Sequence, residues 1–291
     1  MARLVGFIAN RPDLGSRALA VDASLYSVRP PEPDPTQAEA PSSVSWGVGF
    51  YQGGEILLQR RPFDDRRVLS FGELVKDIRA DVLVGHIRTA TVGALRTENT
   101  HPFRYRNWLF ASTGTVPNAE KIRGRLLESL PQFLARDVRG ETDAELVFYT
   151  FLSFLHDAGR LDRADVPAAA VRDAIRSSLS LVSRICAEES SEPLRLNLML
   201  GCSDFVIGTR TFSPMGFSVL AGRQGLERIF DKESLSRTKV PHLVSARLGL
   251  IASDFEDNRL PASLTELKDG HTVTIAHGNA AGDGEPHVEA L

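Results

Sequence analysis

The 291-residue chain is predicted to fold as an α+β protein in which two stacked sheets are covered by helices. Three observations lead there. Strand-like segments open the chain, helical periodicities fill its middle and strands return in the last third, an order that favours layered sheets over alternating βαβ units. Neither an internal repeat nor a glycine-rich phosphate loop breaks that order. The composition, 42% hydrophobic and 24% charged, is that of an ordinary globular protein, and the length suffices to bury a substantial core.

The first strand is read over Ala2–Ala9, where Leu4, Val5, Phe7 and Ile8 crowd a short run ended by Asn10-Arg11-Pro12. Residues 29–44, rich in Pro, Ser, Glu and Ala, form a surface loop. Segments 46–51 and 55–60 flank Gly53-Gly54 and make a hairpin. Helical spacing covers 71–78, and 82–88 is a strand running into a polar loop. A short strand at 108–111 ends at Thr113-Gly114. Helices are expected over 118–134, 143–156 and 167–186, the last opened by Pro167. Strands follow at 196–200, 205–209, 217–221, 248–252 and 272–276. A single domain is expected over 1–277, followed by a mobile tail over 278–291.

The formal net charge of −3 arises from 34 basic and 37 acidic residues mixed along the chain, leaving no domain-wide field to attract nucleic acid or anionic lipid. Arg60, Arg61, Arg66 and Arg67 cluster locally, but Asp64 and Asp65 lie between the pairs, as on a solvated surface. Cys186 and Cys202 make no disulfide framework, and the seven His residues form no metal-spaced pair, so no metal or other cofactor is expected. There is no signal-peptide pattern and no run of eighteen apolar residues. A soluble, cytoplasmic protein without a membrane partner is expected.

Four short runs carry chemical signal. Gly85-His86-Ile87-Arg88-Thr89-Ala90-Thr91-Val92-Gly93 is a strand ending in an Arg- and hydroxyl-rich loop, where a planar guanidinium suits a carboxylate. Asn99-Thr100-His101-Pro102-Phe103 is a rigid turn. Phe110 to Asn118 carries Ser112-Thr113-Gly114 at a strand end, and Gly140-Glu141-Thr142-Asp143-Ala144-Glu145 opens a helix, with Thr142 and Asp143 as good starters. Each alone also reads as a plain turn or cap.

In this order the runs resemble the class II glutamine amidotransferases, N-terminal nucleophile hydrolases whose fold is a four-layer αββα sandwich. That family begins Met-Cys and carries His-x-Arg-x-Ala-Thr-x-Gly, Asn-x-His-Pro-Phe, His-Asn-Gly and Thr-Asp-x-Glu motifs, which appear here as 86–93, 99–103, 112–114 and 142–145. Ser45 to Phe50 is similar to the family's Asp-Gly-Trp-Gly segment. Residues 196–210 and 251–253 resemble the compact subgroup that includes ergothioneine-pathway and glutathione-degrading amidohydrolases. The resemblance implies that Arg88 holds a glutamine α-carboxylate with Thr91 in the same substrate-binding run, that Asp143 holds the α-ammonium, and that the Gly114 amide faces an oxyanion.

Two departures bear on chemistry. Ala2 stands where the family has its Cys nucleophile, and Thr113 stands where an Asn side chain supplies an oxyanion donor. Loss of a hydrolytic nucleophile costs about 10⁶ in turnover, and loss of one oxyanion donor on the order of 10²–10³. Ala2 still permits removal of Met1. Cys202, in a Gly-Cys-Ser-Asp turn, reads as a small buried residue rather than a substitute. The expectation is a catalytically degenerate member that retains a pocket for glutamine or another γ-glutamyl compound and acts as a binding or regulatory subunit, with a separate synthase chain as one candidate protein partner. The alternative is an active glutamine amidohydrolase, working through a Cys thioester, whose cysteine was exchanged to give Ala2. An unrelated α+β enzyme using His86, His101 or Asp143 finds no support in their spacing.

Overall fold

The computed structural model describes residues 2–21, 26–29, 44–66, 68–89, 94–230, 241–278 and 285–291. Its strands are β1 (Ala2–Ala9), β2 (Ser27–Val28), β3 (Val44–Gln52), β4 (Glu55–Asp64), β5 (Leu69–Ser70), β6 (Val82–Thr89), β7 (Phe103–Tyr105), β8 (Trp108–Thr115), β9 (Arg195–Gly201), β10 (Phe205–Arg210), β11 (Met215–Ala221), β12 (Arg247–Ser253), β13 (Thr265–Leu267), β14 (His271–Ala276) and β15 (His287–Ala290). The helices are α1 (Leu14–Val21), α2 (Phe71–Leu74), α3 (Ala119–Ser129), α4 (Gln132–Asp137), α5 (Asp143–Asp157), α6 (Ala168–Glu189), α7 (Gly222–Leu226) and α8 (Pro241–Val244).

Two antiparallel sheets form the centre, a seven-stranded one ordered β13-β11-β12-β1-β6-β3-β4 and a six-stranded one ordered β15-β14-β10-β9-β8-β7. The period-2 alternation of side chains sorts each strand into two cores. From β1, Leu4 and Ile8 join Val84, Leu109, Ala111, Met199 and Val206 between the sheets, while Val5, Phe7 and Ala9 join residues of α1, α2, α7 and α8 outside the larger sheet. The outer face of the smaller sheet packs on α3 to α6. The result is four layers, αββα, as expected. Gly6 allows the sheets to approach closely, since a Cβ there would lie 2.6 Å from Met199 Sδ and 2.9 Å from Val206.

Several expectations are corrected. The helix predicted over 118–134 breaks into α3 and α4, because Leu130 precedes Pro131 and is extended at ψ 145°. The helix predicted over 71–78 stops after one turn, at Leu74. Residues 278–291 were expected to be a mobile tail, yet 287–290 pair with β14, and Glu289 accepts from Arg172 at 2.7 Å. The loop predicted over 29–44 lies outside the described residues except at its two ends, where Val44 belongs to β3.

Candidate functional site

The candidate cavity is at one end of the seam between the sheets. In the larger sheet Ala2 sits opposite Arg88 of β6. On the other side of β1, Leu4 pairs with Ser253 of β12, which brings Asp254 beside the start of β1. Alternation from Leu4 and Val84 puts Ala2, His86 and Arg88 on the face that looks toward the smaller sheet. There Thr113 follows Leu109 and Ala111 along β8 and pairs with Asn197 of β9. A cavity of roughly 620 Å³ opens between them, lined by Ala2, Arg88, Thr113, Gly114, Asp143 and Asp254 among others. The structure thus brings together every candidate residue from the sequence except Thr91, which lies outside the described residues.

Among the groups lining this cavity is the Asp254 carboxylate, held by three hydroxyls. Thr113 Oγ1 donates to Asp254 Oδ2 at 2.7 Å, Ser253 Oγ to the same oxygen at 2.5 Å and Ser213 Oγ to Oδ1 at 2.5 Å. Asn197 braces the group by donating to the Ser213 carbonyl at 2.8 Å. A hydroxyl has one proton to give, and that of Thr113 is directed at Asp254. The Asp254 backbone has φ +64°, a conformation that Asp tolerates better than most residues. Gly114 is fixed by geometry, with φ +98° and space so restricted that a Cβ would fall 2.1 Å from the Arg195 carbonyl oxygen.

Asp143 is the first residue of α5, and its position is built by capping. Thr142 Oγ1 accepts from the Glu145 amide at 3.4 Å. The Glu145 carboxylate accepts from Gly140 at 2.7 Å and from Arg139 at 3.1 Å, a variant of the reciprocal capping box. Asn99 holds the same turn through the Glu141 amide at 2.8 Å. Asp143 itself accepts from Val116 at 2.7 Å and Ala144 at 2.9 Å, which ties β8 to α5 and leaves lone-pair capacity toward the cavity. Burial pulls the Arg88 guanidinium below its ordinary value, and the Asp143 carboxylate opposes that shift.

Two buried imidazoles also line the cavity. His86 and His101 meet edge to face with ring centres 4.5 Å apart. His86 Nε2 and both ring nitrogens of His101 are buried without hydrogen-bond partners. Burial, then the nearby Arg88 charge, pushes His86 down to about 3; His101 is lowered by burial first and then by His86, Arg88 and Arg60. Both rings are neutral near pH 7.

The cysteines lie elsewhere. Cys202 packs in the helix-side core, and burial pushes its thiol up to about 12, so it supplies no thiolate. In the arginine cluster, Arg66 clamps Asp64 through contacts of 2.9 and 2.7 Å, and Trp46 Nε1 donates to the same carboxylate at 2.8 Å. Arg61 and Arg66 are exposed, as expected of a solvated surface, while Asp64 between them is a buried anchor; Arg67 lies outside the described residues. Asp254 and Arg3 were missed as site residues. No motif marked Asp254, whereas Arg3 was visible as a lone charge inside an apolar strand. Among the described residues, no group of three or more His, Cys, Asp or Glu side chains is arranged to hold a metal ion, and no helix is long and apolar enough to cross a membrane.

The layered fold, the cavity at the end of β1 and the motif residues around it define a class of protein. Residues 34–180 match the family model for class-II glutamine amidotransferases, and the chain belongs to that family. Among curated relatives, it is 26% identical over 145 residues to the Saccharomyces cerevisiae protein named "Probable glutamine amidotransferase DUG3", covering 47% of this chain and 41% of that one. It is 29% identical over 126 residues to the gamma-glutamyl-hercynylcysteine sulfoxide hydrolase of Mycobacterium tuberculosis, covering 40% of this chain and 54% of that one. The aligned part thus spans about half or less of each relative. A glutamine aminotransferase class-II domain protein from Silicibacter pomeroyi shares the fold over 99% of this chain and 98% of its own, with a TM-score of 0.58 at 16% identity.

Proposed function

We propose that this chain is a catalytically degenerate class II glutamine amidotransferase that binds glutamine or a related γ-glutamyl compound without hydrolysing it. One observation carries the reading: the charged groups suited to an amino acid remain in the cavity while its reacting end lacks both the nucleophile and the side-chain oxyanion donor. Arg88 offers a planar fork for an α-carboxylate, and Asp143 offers acceptor capacity for an α-ammonium. At the reacting end Ala2 has no attacking atom. Thr113 has committed its proton to Asp254, so it presents lone pairs, and a carboxylate stands beside the place where negative charge would develop. An oxyanion is disfavoured there. The product is a recognition site, in keeping with a binding or regulatory subunit for a separate synthase or another protein. A reducing cytoplasmic setting suits Cys186 and Cys202, both free and buried.

The test is calorimetric titration of L-glutamine alongside an ammonia-release assay. Binding without ammonia release is expected of the protein as it stands. Ala2→Cys, once loss of Met1 is verified by mass spectrometry, is expected to restore only weak turnover, and adding Thr113→Asn to raise it on the order of 10²-fold. Full glutaminase activity from Ala2→Cys alone would instead favour an amidohydrolase that lacks one thiol. Ammonia release by the unaltered protein would overturn the reading.

A further inference from the structure

A second cavity, of roughly 510 Å³, opens where the two sheets end together. β4 and β7 are the terminal strands of the larger and the smaller sheet, and both line it, with the start of α5. It shares no lining residue with the first cavity: Asp143 belongs to that one and Glu145, two positions on, to this one. Along β4, Ile56 is buried in the seam and Leu58 packs against that core, so Arg60 faces the same way and lines the cavity beyond it. Arg104 comes from β7 and Arg139 from the turn before α5; both are exposed, and Arg60 is half-buried. Arg106, at the same cavity, is matched by Asp162. Among the described residues, no carboxylate makes an ion pair with Arg60, Arg104 or Arg139. Arg60 Nη1 donates to the Thr100 carbonyl at 3.3 Å, and Arg104 to the carbonyls of Ile56 at 3.0 Å and Arg106 at 3.4 Å. The buried acid beside them is already occupied, since Glu145 spends its two oxygens on the Arg139 and Gly140 amides. Burial holds Arg60 below its ordinary value in spite of Glu98 and Glu145.

We infer that this second cavity binds a phosphate monoester, with Arg60, Arg104 and Arg139 at the phosphate and an apolar wall at the organic part. The three unmatched guanidiniums come from three separate elements. A carboxylate is planar and is saturated by one fork, whereas a phosphate carries three acceptor oxygens that can be approached from several sides at once. Phosphate is therefore the anion that engages all three. The wall suits the rest of the ligand: Phe103 and Phe148 are buried, and Leu58 and Tyr105 are half-buried. The Tyr105 ring meets that of Tyr149 edge to face with centres 6.0 Å apart, and Tyr149 is fixed by donating its hydroxyl to the Asp137 carbonyl at 3.0 Å. The volume lies within the range of small-molecule pockets. Glu98 and Asp137 also line the cavity, and their charge opposes the anion. No group of the first cavity takes part, so the site stands or falls independently of the function proposed above.

The test is calorimetric titration of phenyl phosphate into the unaltered protein at fixed ionic strength, with inorganic phosphate and benzoate as comparisons. Phenyl phosphate is expected to bind saturably and about tenfold more tightly than either, because inorganic phosphate lacks the apolar part and benzoate the third oxygen. Arg104→Gln and Arg139→Gln, both at exposed positions, should each weaken it about tenfold, as for a lost charge-assisted hydrogen bond. Glu98→Gln should tighten it, a direction that a damaged fold would not give. No saturation by about 10 mM phenyl phosphate, or an affinity that neither Arg104→Gln nor Arg139→Gln moves, overturns the site. Binding lost in Arg88→Gln but kept in both of those variants would put the anion in the first cavity and overturn it equally. Benzoate binding as tightly as phenyl phosphate would overturn the assignment to phosphate.

Discussion

His86 and His101 show most directly how single residues record what the cavity is for. Each is a neutral imidazole in a site that supplies it too few partners, an arrangement with a cost that a bound polar ligand or water could relieve. The same burial makes them acid-sensitive. In the unfolded chain both would protonate near pH 6.5, whereas His86 in the fold resists protonation until about 3. The unfolded state therefore binds more protons in that window. Stability that depends on neutral His86 is fully present above about pH 6.5 and is lost as pH falls toward 3, and His101, held down in the same direction by burial, adds to the loss. Urea unfolding midpoints measured from pH 7 to pH 4 should fall accordingly, and His101→Leu should make that fall shallower. An unchanged slope would mean that His101 does not stay neutral in the fold.

The start of α5 and the end of β8 set the site at the level of elements. Thr142→Ala should cost about 1 kcal/mol, as expected for a lost N-cap, and should weaken the proposed glutamine binding because Asp143 follows it directly. Gly114→Ala should be more damaging, since it meets both a positive φ and the Arg195 carbonyl; chemical denaturation of the two variants checks the order. These elements were legible in the sequence because their signals are local. Thr142 and Asp143 announce a helix start within a few residues, and β1 announces itself because Leu4, Val5, Phe7 and Ile8 are buried on both faces. Where formation depends on distant partners, the sequence was silent. The polar His287–Ala290 segment is a strand only by pairing with β14, and α1 is a short eight-residue helix that packs on the larger sheet. The bond from Thr113 to Asp254 spans 141 positions, so the group that occupies the Thr113 proton could not be read from any motif.

For the whole molecule, the four layers depend on how closely the two sheets approach. Gly6→Val would push against Met199 and Val206 and should destabilise by about 1–3 kcal/mol, typical of overpacking. Because that seam ends at the cavity, ligand affinity should drop with it; a thermal melt and a glutamine titration on the same sample read both effects. The layered architecture could be anticipated from the order of strands and helices, but the close fit at the seam could not, since it depends on which residues meet across it. The last strand has a different consequence. β15 caps the outer edge of the smaller sheet by covering β14, and Glu289 fastens it to Arg172 and Arg176 on α6. Without residues 285–291 the backbone of β14, with Val273 and Ile275 in its length, would present a row of unpaired amides and carbonyls, a template on which a second chain can add a strand. Loss of β15 should therefore be felt first as poor solubility, measured as the onset of aggregation of the chain cut after residue 284.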